Sequence, residues 1–419
     1  MSRTKLKSKG FAAYQATQFA GAFNDNVFKL LLICFASNLL INQEGAREAY
    51  VAKAGAFFIL PYLLCSSYAG YLADRFSKKS VMIGTKVAEI IIMLLGFFLF
   101  KIHALNTLLL ILFFMGAQSA FFSPAKYGFL PEVLPSRDLS KGNGINQLFT
   151  FLAIISGSWA GAALSNWSAL DPYKAAYFCV AIAIIGTIFS LFISPTPAGN
   201  PRTKAVADPF SPHFRTFLEM KRDKLLLLSL LSNSYFWFIG ALFQLVILFF
   251  AKDSLGGDDV LVGHLQASLA IGIGAGSAIA GYISRGKIEY GLIIPGAFFT
   301  GIFAILLGLF ANTKGSSFLF FAALGLAGGF FQLPLVTSIQ KRSPAAKLGR
   351  YLAAGNALDC LAMILASFAQ WLLLGVFKLG AQQVFIFIGI LTIIAAIIIC
   401  AQAPDLLKRT RKLGLVMRH

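Results

Sequence analysis

The sequence predicts an all-α membrane protein whose 12 transmembrane helices form two pseudo-symmetric six-helix bundles. Three observations predict it. Of 419 residues, 58% are hydrophobic and only 13% are charged, where soluble domains hold about 45–50% and about 25%. Apolar runs of about 20 residues recur from end to end, each enough to cross a hydrocarbon layer of about 30 Å as a helix. Basic residues crowd into every second gap between those runs.

Read against Gly, Pro and charge breaks, the spans fall near 11–41, 50–73, 80–102, 104–123, 142–166, 173–195, 225–251, 260–284, 288–311, 315–337, 349–376 and 380–402. The longest gap is rich in proline and basic residues. It divides the chain into an amino-terminal six-helix bundle (1–195), a cytoplasmic linker (196–224) and a carboxyl-terminal six-helix bundle with a basic tail (225–419). Inside the linker, Ser211 and Pro212 read as an N-cap and a first-turn proline. Phe210, Phe214, Phe217 and Leu218 share one helical face opposite Lys221 and Arg222, which predicts a short interfacial amphipathic helix.

The formal charge of +19 invites a nucleic-acid reading, and its placement removes that reading. By position, 27 Lys and Arg lie in the two tails and the gaps on their side, against 7 in the opposite gaps. That bias predicts both termini and the central linker in the cytoplasm. The bases then line a membrane face, and membrane lipids are the partners of that charge. The opening MSRTKLKSKG has no small-residue cleavage site before its long apolar segment, so it reads as a retained end. Cys34, Cys65, Cys179, Cys360 and Cys400 all fall inside spans without CxxC spacing, as small hydrophobes do.

The two halves resemble each other. Gly116–Gln147 contains FFSP, a basic loop and GNGINQ; Gly325–Cys360 contains FFQLP, a basic loop and GNALDC. Phe121-Phe122 matches Phe330-Phe331, Gly142-Asn143 matches Gly355-Asn356, and Asn146 falls opposite Asp359. Two similar bundles can rock about a midplane site, as transporters built from repeats do.

Charges at mid-membrane are costly and persist where they pair, face a cavity or bind something. Five stand inside spans: Asp25 and Lys29 in the first, Lys86 and Glu89 in the third, Asp359 in the eleventh. The first four form i,i+4 and i,i+3 couples on a helix face. Lys86–Glu89 also reads as a purely intrahelical pair near the cytoplasmic end of its span. Asp359 has no local base. Nothing points to an enzyme or a cofactor. Gly281–Lys287 fits G-x-x-x-x-G-K, but Ile288 replaces the Ser/Thr that would hold Mg²⁺, and a membrane helix precedes it where a phosphate loop needs a strand. Gly272–Gly281 reads as small-residue helix packing. No nucleophile–base set or metal cluster appears.

The loop GYLADRFSKK, Gly70 to Lys79, resembles the G-x-x-x-D-R-x-x-R/K-R/K signature of the major facilitator superfamily. Gly70 permits close helix approach, Asp74 can pair across the half-interface, and Arg75, Lys78 and Lys79 keep the loop cytoplasmic. The second copy, GYISRGKIE, puts Arg285 where the acid stood, so the first copy carries the gating latch. FFSPAKYGFLPEV (Phe121–Val133), together with FNDN in the first span, resembles the lysophospholipid transporter family of that superfamily. Members are bacterial inner-membrane proteins, found also as the transporter part of fusions with an acyltransferase and an acyl-carrier-protein synthetase.

The resemblance implies a monomeric flippase moving lysophosphatidylethanolamine to the cytoplasmic leaflet by alternating access, with a cytoplasmic acyltransferase/acyl-ACP synthetase as partner. No H-x-x-x-x-D motif surrounds any of the four histidines, so the chain reads as transporter only. In that reading Lys29 or Lys86 holds the substrate phosphate and Asp25 or Asp359 its ammonium. Glu89 belongs to the same set, with Asn24, Asn26, Asn146, Gln147 and Asn356 as hydrogen-bond partners. Pro124 breaks the helix before a SPAKYG loop whose Lys126 belongs to a gate. Asn24 stands where the family often has glycine. The rival reading is a proton-coupled drug or small-metabolite antiporter with Asp25 or Glu89 as proton site. Gly157 and Gly161 keep the glycines of the antiporter G-x-x-x-G-P pattern, but Ala162 replaces its proline.

Overall fold

A computed structural model describes residues 6–40, 46–168, 171–203, 208 and 210–406. Most of the basic carboxyl tail and the start of the amino tail lie outside the described residues. Among those described, 12 helices are long and apolar enough to cross a membrane. In chain order, the helices are α1 (Lys9–Leu39), α2 (Ala46–Arg75), α3 (Lys78–Lys101), α4 (Leu105–Val133), α5 (Leu139–Trp167), α6 (Pro172–Leu191), α7 (Ser211–Met220), α8 (Lys224–Phe249), α9 (Asp259–Ile283), α10 (Ile293–Phe310), α11 (Lys314–Arg342), α12 (Leu348–Gln370) and α13 (Ala381–Gln402). In a bilayer only helices and closed barrels satisfy every backbone group, and these sequences lack the alternation of a barrel.

One boundary differs from the sequence reading. The fourth span does not stop at Pro124: α4 runs on through Pro124 and Pro131 to Val133. The eleventh helix likewise passes through Pro334 to Arg342. Membrane helices keep such prolines because neighbouring groups re-satisfy the freed carbonyls. SPAKYG is therefore helix, not loop, and Lys126 is buried in it with its ammonium over the Tyr127 ring.

The chain forms two compact units. One comprises Met1–Pro135, Leu152–Glu219 and Ser343–Ala357; the other comprises Ser136–Phe151, Met220–Arg342 and Leu358–His419. In the first, α2 packs on α4, and α3 packs on both α4 and α6. In the second, α9 packs on α11, and α10 packs on both α11 and α13. This is the same scheme one repeat later, so the duplication read from FFSP/GN and FFQLP/GN extends to helix packing. Glycines let these pairs approach. A Cβ on Gly329 would stand 2.5 Å from the Ile273 carbonyl oxygen, so the small residues of Gly272–Gly281 are packing residues. Gly286, at φ 85°, follows α9 in a turn with no strand before it.

Each unit buries an apolar core. The first centres on Val27, Phe28, Leu31, Phe35, Met93 and Phe100. The second gathers Phe243, Phe250, Phe321 and Phe385: Phe243 stacks on Phe385, while Phe250, Phe321 and Phe385 meet edge to face. Large apolar side chains also cover the outside, among them Phe98, Phe114, Phe178, Phe368 and Ile397, the surface a hydrocarbon solvent favours.

A short helix forms in the linker as α7, but its cap is not Ser211. Asp208 accepts from the Phe210 and Ser211 amides at 2.9 and 2.6 Å. Phe214 and Leu218 are exposed on it, as is Phe210 just before it.

Candidate transport site

The first unit contains a polar network inside apolar helices. Its centre is Glu89 of α3, 1% exposed. Glu89 pairs with Lys86 one turn earlier on the same helix. It also accepts from Asn24 Nδ2 of α1 at 2.8 Å and from Gln118 Nε2 of α4 at 3.2 Å. Ser119 is the next link, its hydroxyl lying 3.0 Å from Gln118 Oε1 and 2.6 Å from Asp25 Oδ2. Lys86 sits over the Phe122 ring at 5.4 Å and is 1% exposed. Lys86–Glu89 is thus buried and shared among three helices, not a peripheral intrahelical pair.

Small residues make this possible. The Lys86 ammonium occupies the place a Cβ on Gly21 would take. Gly157 and Gly161 lay α5 against the α1 backbone: Cβ atoms there would fall 2.5 Å from the Phe23 oxygen and 2.9 Å from the Val27 oxygen. The glycines of the antiporter pattern therefore bracket the Asp25 turn of α1.

Asp25 and Lys29 share a helix face but do not form the ion pair their spacing permits. Asp25 takes its hydrogen bond from Ser119, while Lys29 Nζ lies 5.5 Å from the centre of the Phe58 ring of α2. Both side chains are only part-buried. An acid and a base one turn apart therefore remain uncombined. Asn26, beside them, donates to the Ala22 carbonyl at 2.7 Å.

The signature loop is built around α12. Gly70 admits its first turns: a Cβ there would come within 2.8 Å of Ala353 Cβ and 3.0 Å of Arg350 Cα. Asp74, fully buried, accepts from the Gly349 amide at 2.5 Å and the Arg350 amide at 3.1 Å, with Arg350 Nε at 3.3 Å. A carboxylate on the free amides of a helix start is a charged cap. Lys78 is not a solvent-facing loop charge; it is buried, donating to the Ala73 carbonyl at 2.6 Å and pairing with Glu132 at 2.9 Å. Lys79 donates to the Leu191 carbonyl, and Arg75 donates to the Tyr71 hydroxyl, its guanidinium 5.7 Å from the ring centres of Tyr71 and Phe76. Lys126 contributes its carbonyl oxygen to the Tyr14 hydroxyl at 3.0 Å.

The two GN motifs are used alike. Asn356 belongs to the first unit and donates to Ser123 of α4 at 2.8 Å. Asn143 belongs to the second and donates to Gln340 and Thr337 of α11 at 2.6 and 3.1 Å. Beside it Gln147 donates to Gln332 at 3.0 Å, and Asn146 is fully buried, its carbonyl taking the Thr150 hydroxyl. Asp359, also in the second unit, accepts from Asn233 Nδ2 at 2.9 Å and Ser234 Oγ at 2.6 Å of α8. Gln118, Ser119, Asn233 and Ser234 are the members that sequence reasoning missed. Their one signal was polarity inside an apolar run.

The model of the major facilitator superfamily matches residues 17–367. The chain belongs to the major facilitator superfamily. Within it, the chain is 29% identical over 390 residues to the lysophospholipid transporter LplT of Yersinia enterocolitica, covering 90% of each protein. It is 28% identical over 387 residues to LplT of Serratia proteamaculans, again over 90% of each. The resemblance to the lysophospholipid transporter family thus spans both bundles, beyond the first five spans that carried it in the motifs. Among solved structures, the fucose:proton symporter FucP of E. coli superposes with a TM-score of 0.73 at 13% identity, covering 94% of this chain and 98% of that one. At that identity the likeness is one of superfamily fold. This is a multi-pass membrane protein of a transporter superfamily.

Proposed function

We propose that this protein moves lysophospholipids, lysophosphatidylethanolamine first among them, to the cytoplasmic leaflet of a bacterial inner membrane by alternating access. The observation that carries the reading is the uncombined Asp25 and Lys29. A zwitterionic headgroup offers one ammonium and one phosphate, and this turn of α1 offers one acid and one base that are not spent on each other. Binding the headgroup displaces the Ser119 hydroxyl from Asp25 without first breaking a buried salt bridge. Glu89, Lys86, Asn24 and Gln118 hold α1, α3 and α4 in register behind it. The Yersinia and Serratia relatives, named as lysophospholipid transporters, support the substrate class. Both termini and the linker are cytoplasmic in this reading, from the 27 to 7 bias of basic residues. The two bundles are its moving bodies, Asp74 is a latch released in each cycle, and the protein works as a monomer beside a cytoplasmic reacylating enzyme.

The test is transfer of labelled lysophosphatidylethanolamine in liposomes holding the purified protein. Wild type is expected to move it, and Asp25→Asn to abolish movement at unchanged abundance. Transport of a cationic drug on a proton gradient, with no lysolipid movement, would establish the antiporter reading instead.

A further inference from the structure

α2 and α3 are joined only by Phe76 and Ser77, yet they scarcely touch, and each packs on α4 instead. The gap between them is a cleft of about 380 Å³ with α4 as its floor. Leu72 and Phe76 of α2 form one wall. The other is the α3 face of Ser80, Gly84 and Ala88, small residues repeating every fourth position. Gln118 and Phe121 of α4 lie across the bottom. A Cβ on Gly84 would meet nothing within 4 Å, so no neighbouring side chain fills that space. Protein interiors leave few voids larger than a water molecule, and this one is far larger.

Its position selects the occupant. Both walls lie within spans and Gly84 is exposed, so the cleft opens sideways onto hydrocarbon. From Ser80 to Ala88 it runs about 12 Å along α3, at 1.5 Å per residue. One leaflet contributes about 15 Å to the hydrocarbon layer, so the cleft has nearly the depth of a leaflet. Its volume is at the small end of the range for small-molecule sites, about 300–1,000 Å³. That is room for one lipid chain, and too narrow for a helix about 10–12 Å across. At the deep end Gln118 also donates to Glu89 at 3.2 Å, so a chain there rests against the back of the polar network.

The mouth supplies positive charge. The Arg75 guanidinium lies 5.7 Å from the ring centre of Phe76, a wall residue. Lys79 is half-buried beside Ser80, which is exposed and offers its hydroxyl. The nearby acids face elsewhere: Asp74 accepts the Gly349 and Arg350 amides, and Glu132 takes Lys78. Two bases and a hydroxyl suit a phosphate with net negative charge, whereas a zwitterion's ammonium would find no acid here.

We infer that the cleft holds one acyl chain of a diacyl anionic phospholipid, drawn from the leaflet on the side of the Gly70–Lys79 loop, with its phosphate among Arg75, Lys79 and Ser80. Neither Asp25 nor Lys29 lines the cleft, so the site does not depend on what the protein transports. Lipid tails are as apolar as the walls, so a chain entering the cleft gains packing and not hydrophobic burial. Selectivity therefore falls to the headgroup. Two surface bases favour an anionic over a zwitterionic headgroup by about thirtyfold.

Native mass spectrometry of the full-length protein tests the site, with dioleoyl phosphatidylglycerol and dioleoyl phosphatidylcholine offered in equal amounts in detergent. The first lipid retained should be phosphatidylglycerol, by about thirtyfold, and Arg75→Gln should lower that preference to about fivefold. Gly84→Leu, which fills the cleft, should cut retention of this lipid by about tenfold. Phosphatidylglycerol should also raise the melting midpoint of wild type above its value in phosphatidylcholine, and that difference should vanish in Gly84→Leu. Asp25→Asn should retain the lipid as wild type does, which keeps this outcome apart from that of the transport assay. Unchanged retention in Gly84→Leu, or equal retention of both lipids by wild type, would overturn the site. One-for-one displacement of phosphatidylglycerol by lysophosphatidylethanolamine would overturn it too, by making the cleft part of the substrate's path. Should Gly84→Leu fold poorly, Ala88→Leu narrows the same cleft one turn deeper, and unchanged retention there is equally fatal.

Discussion

Lys86 and Glu89 show what the interior asks of single residues. Each is 1% exposed, and Glu89 also takes Asn24 and Gln118. Removing one member of such a pair strands the other, at about 3–5 kcal/mol, whereas replacing both by apolar residues is often neutral. Lys86→Met should therefore lower the melting midpoint of the purified protein sharply, and Lys86→Met with Glu89→Leu should recover much of the loss. Equal losses in single and double variants would mean that the network, not the ion pair, carries the stability. The ionic members of this cluster were legible because charge is rare in an apolar run. Gln118 and Ser119 were not, since neutral polar residues carry no spacing rule that announces a partner on another helix. The Asp25–Lys29 relation was half legible. A separation of four residues allows a contact, but Ser119 on α4 competes for the acid and Phe58 on α2 for the base.

At the scale of elements, the 12 spans were readable because length and apolarity suffice for a membrane helix. The error in α4 came from importing a soluble rule, that proline ends helices, into a place where neighbours and lipid keep the chain helical. The small helix α7 was readable from its face of aromatics, but its anchors were not. His213 meets Ser66 of α2 at 2.7 Å. Glu219 accepts from Lys347 at 2.9 Å and Tyr351 at 3.3 Å of the α12 region, and the Lys347 bond holds its carboxyl below the usual range. Burial lowers the His213 pKa below its ordinary 6.5. Above 6.5 both folded and unfolded chains keep this ring neutral, so it adds no pH dependence. As pH falls below 6.5 the unfolded chain takes a proton that the folded one resists, and stability declines until the lowered folded value is passed. Melting midpoints followed downward from neutral pH should show this decline in wild type and a flatter profile in His213→Asn. A slope unchanged by that substitution would assign the decline to other groups.

At the scale of the whole molecule, neither unit is a continuous stretch of chain. α12 leaves one unit and enters the other between Ala357 and Leu358, and α5 does so between Phe151 and Leu152. Sequence reading divides the chain at its most polar linker, because linkers are visible in composition; a change of unit in mid-helix leaves no trace there. The first residues of α12 are held by Asp74, fully buried on the free Gly349 and Arg350 amides. Removing such a cap costs about 1–2 kcal/mol. Asp74→Ala should therefore speed tryptic cleavage after Lys347, with Asp74→Asn intermediate because it keeps an acceptor without the charge. Cleavage at the wild-type rate in both would show that Gly70 packing and Glu219 hold the segment without the carboxylate. The same bond sets a timetable for synthesis. Asp74 and Gly349 stand 275 residues apart, and ribosomes add about 5–20 residues per second. The nascent chain thus waits on the order of tens of seconds for the amides that cap this acid. The half of the protein that is made first cannot be finished first.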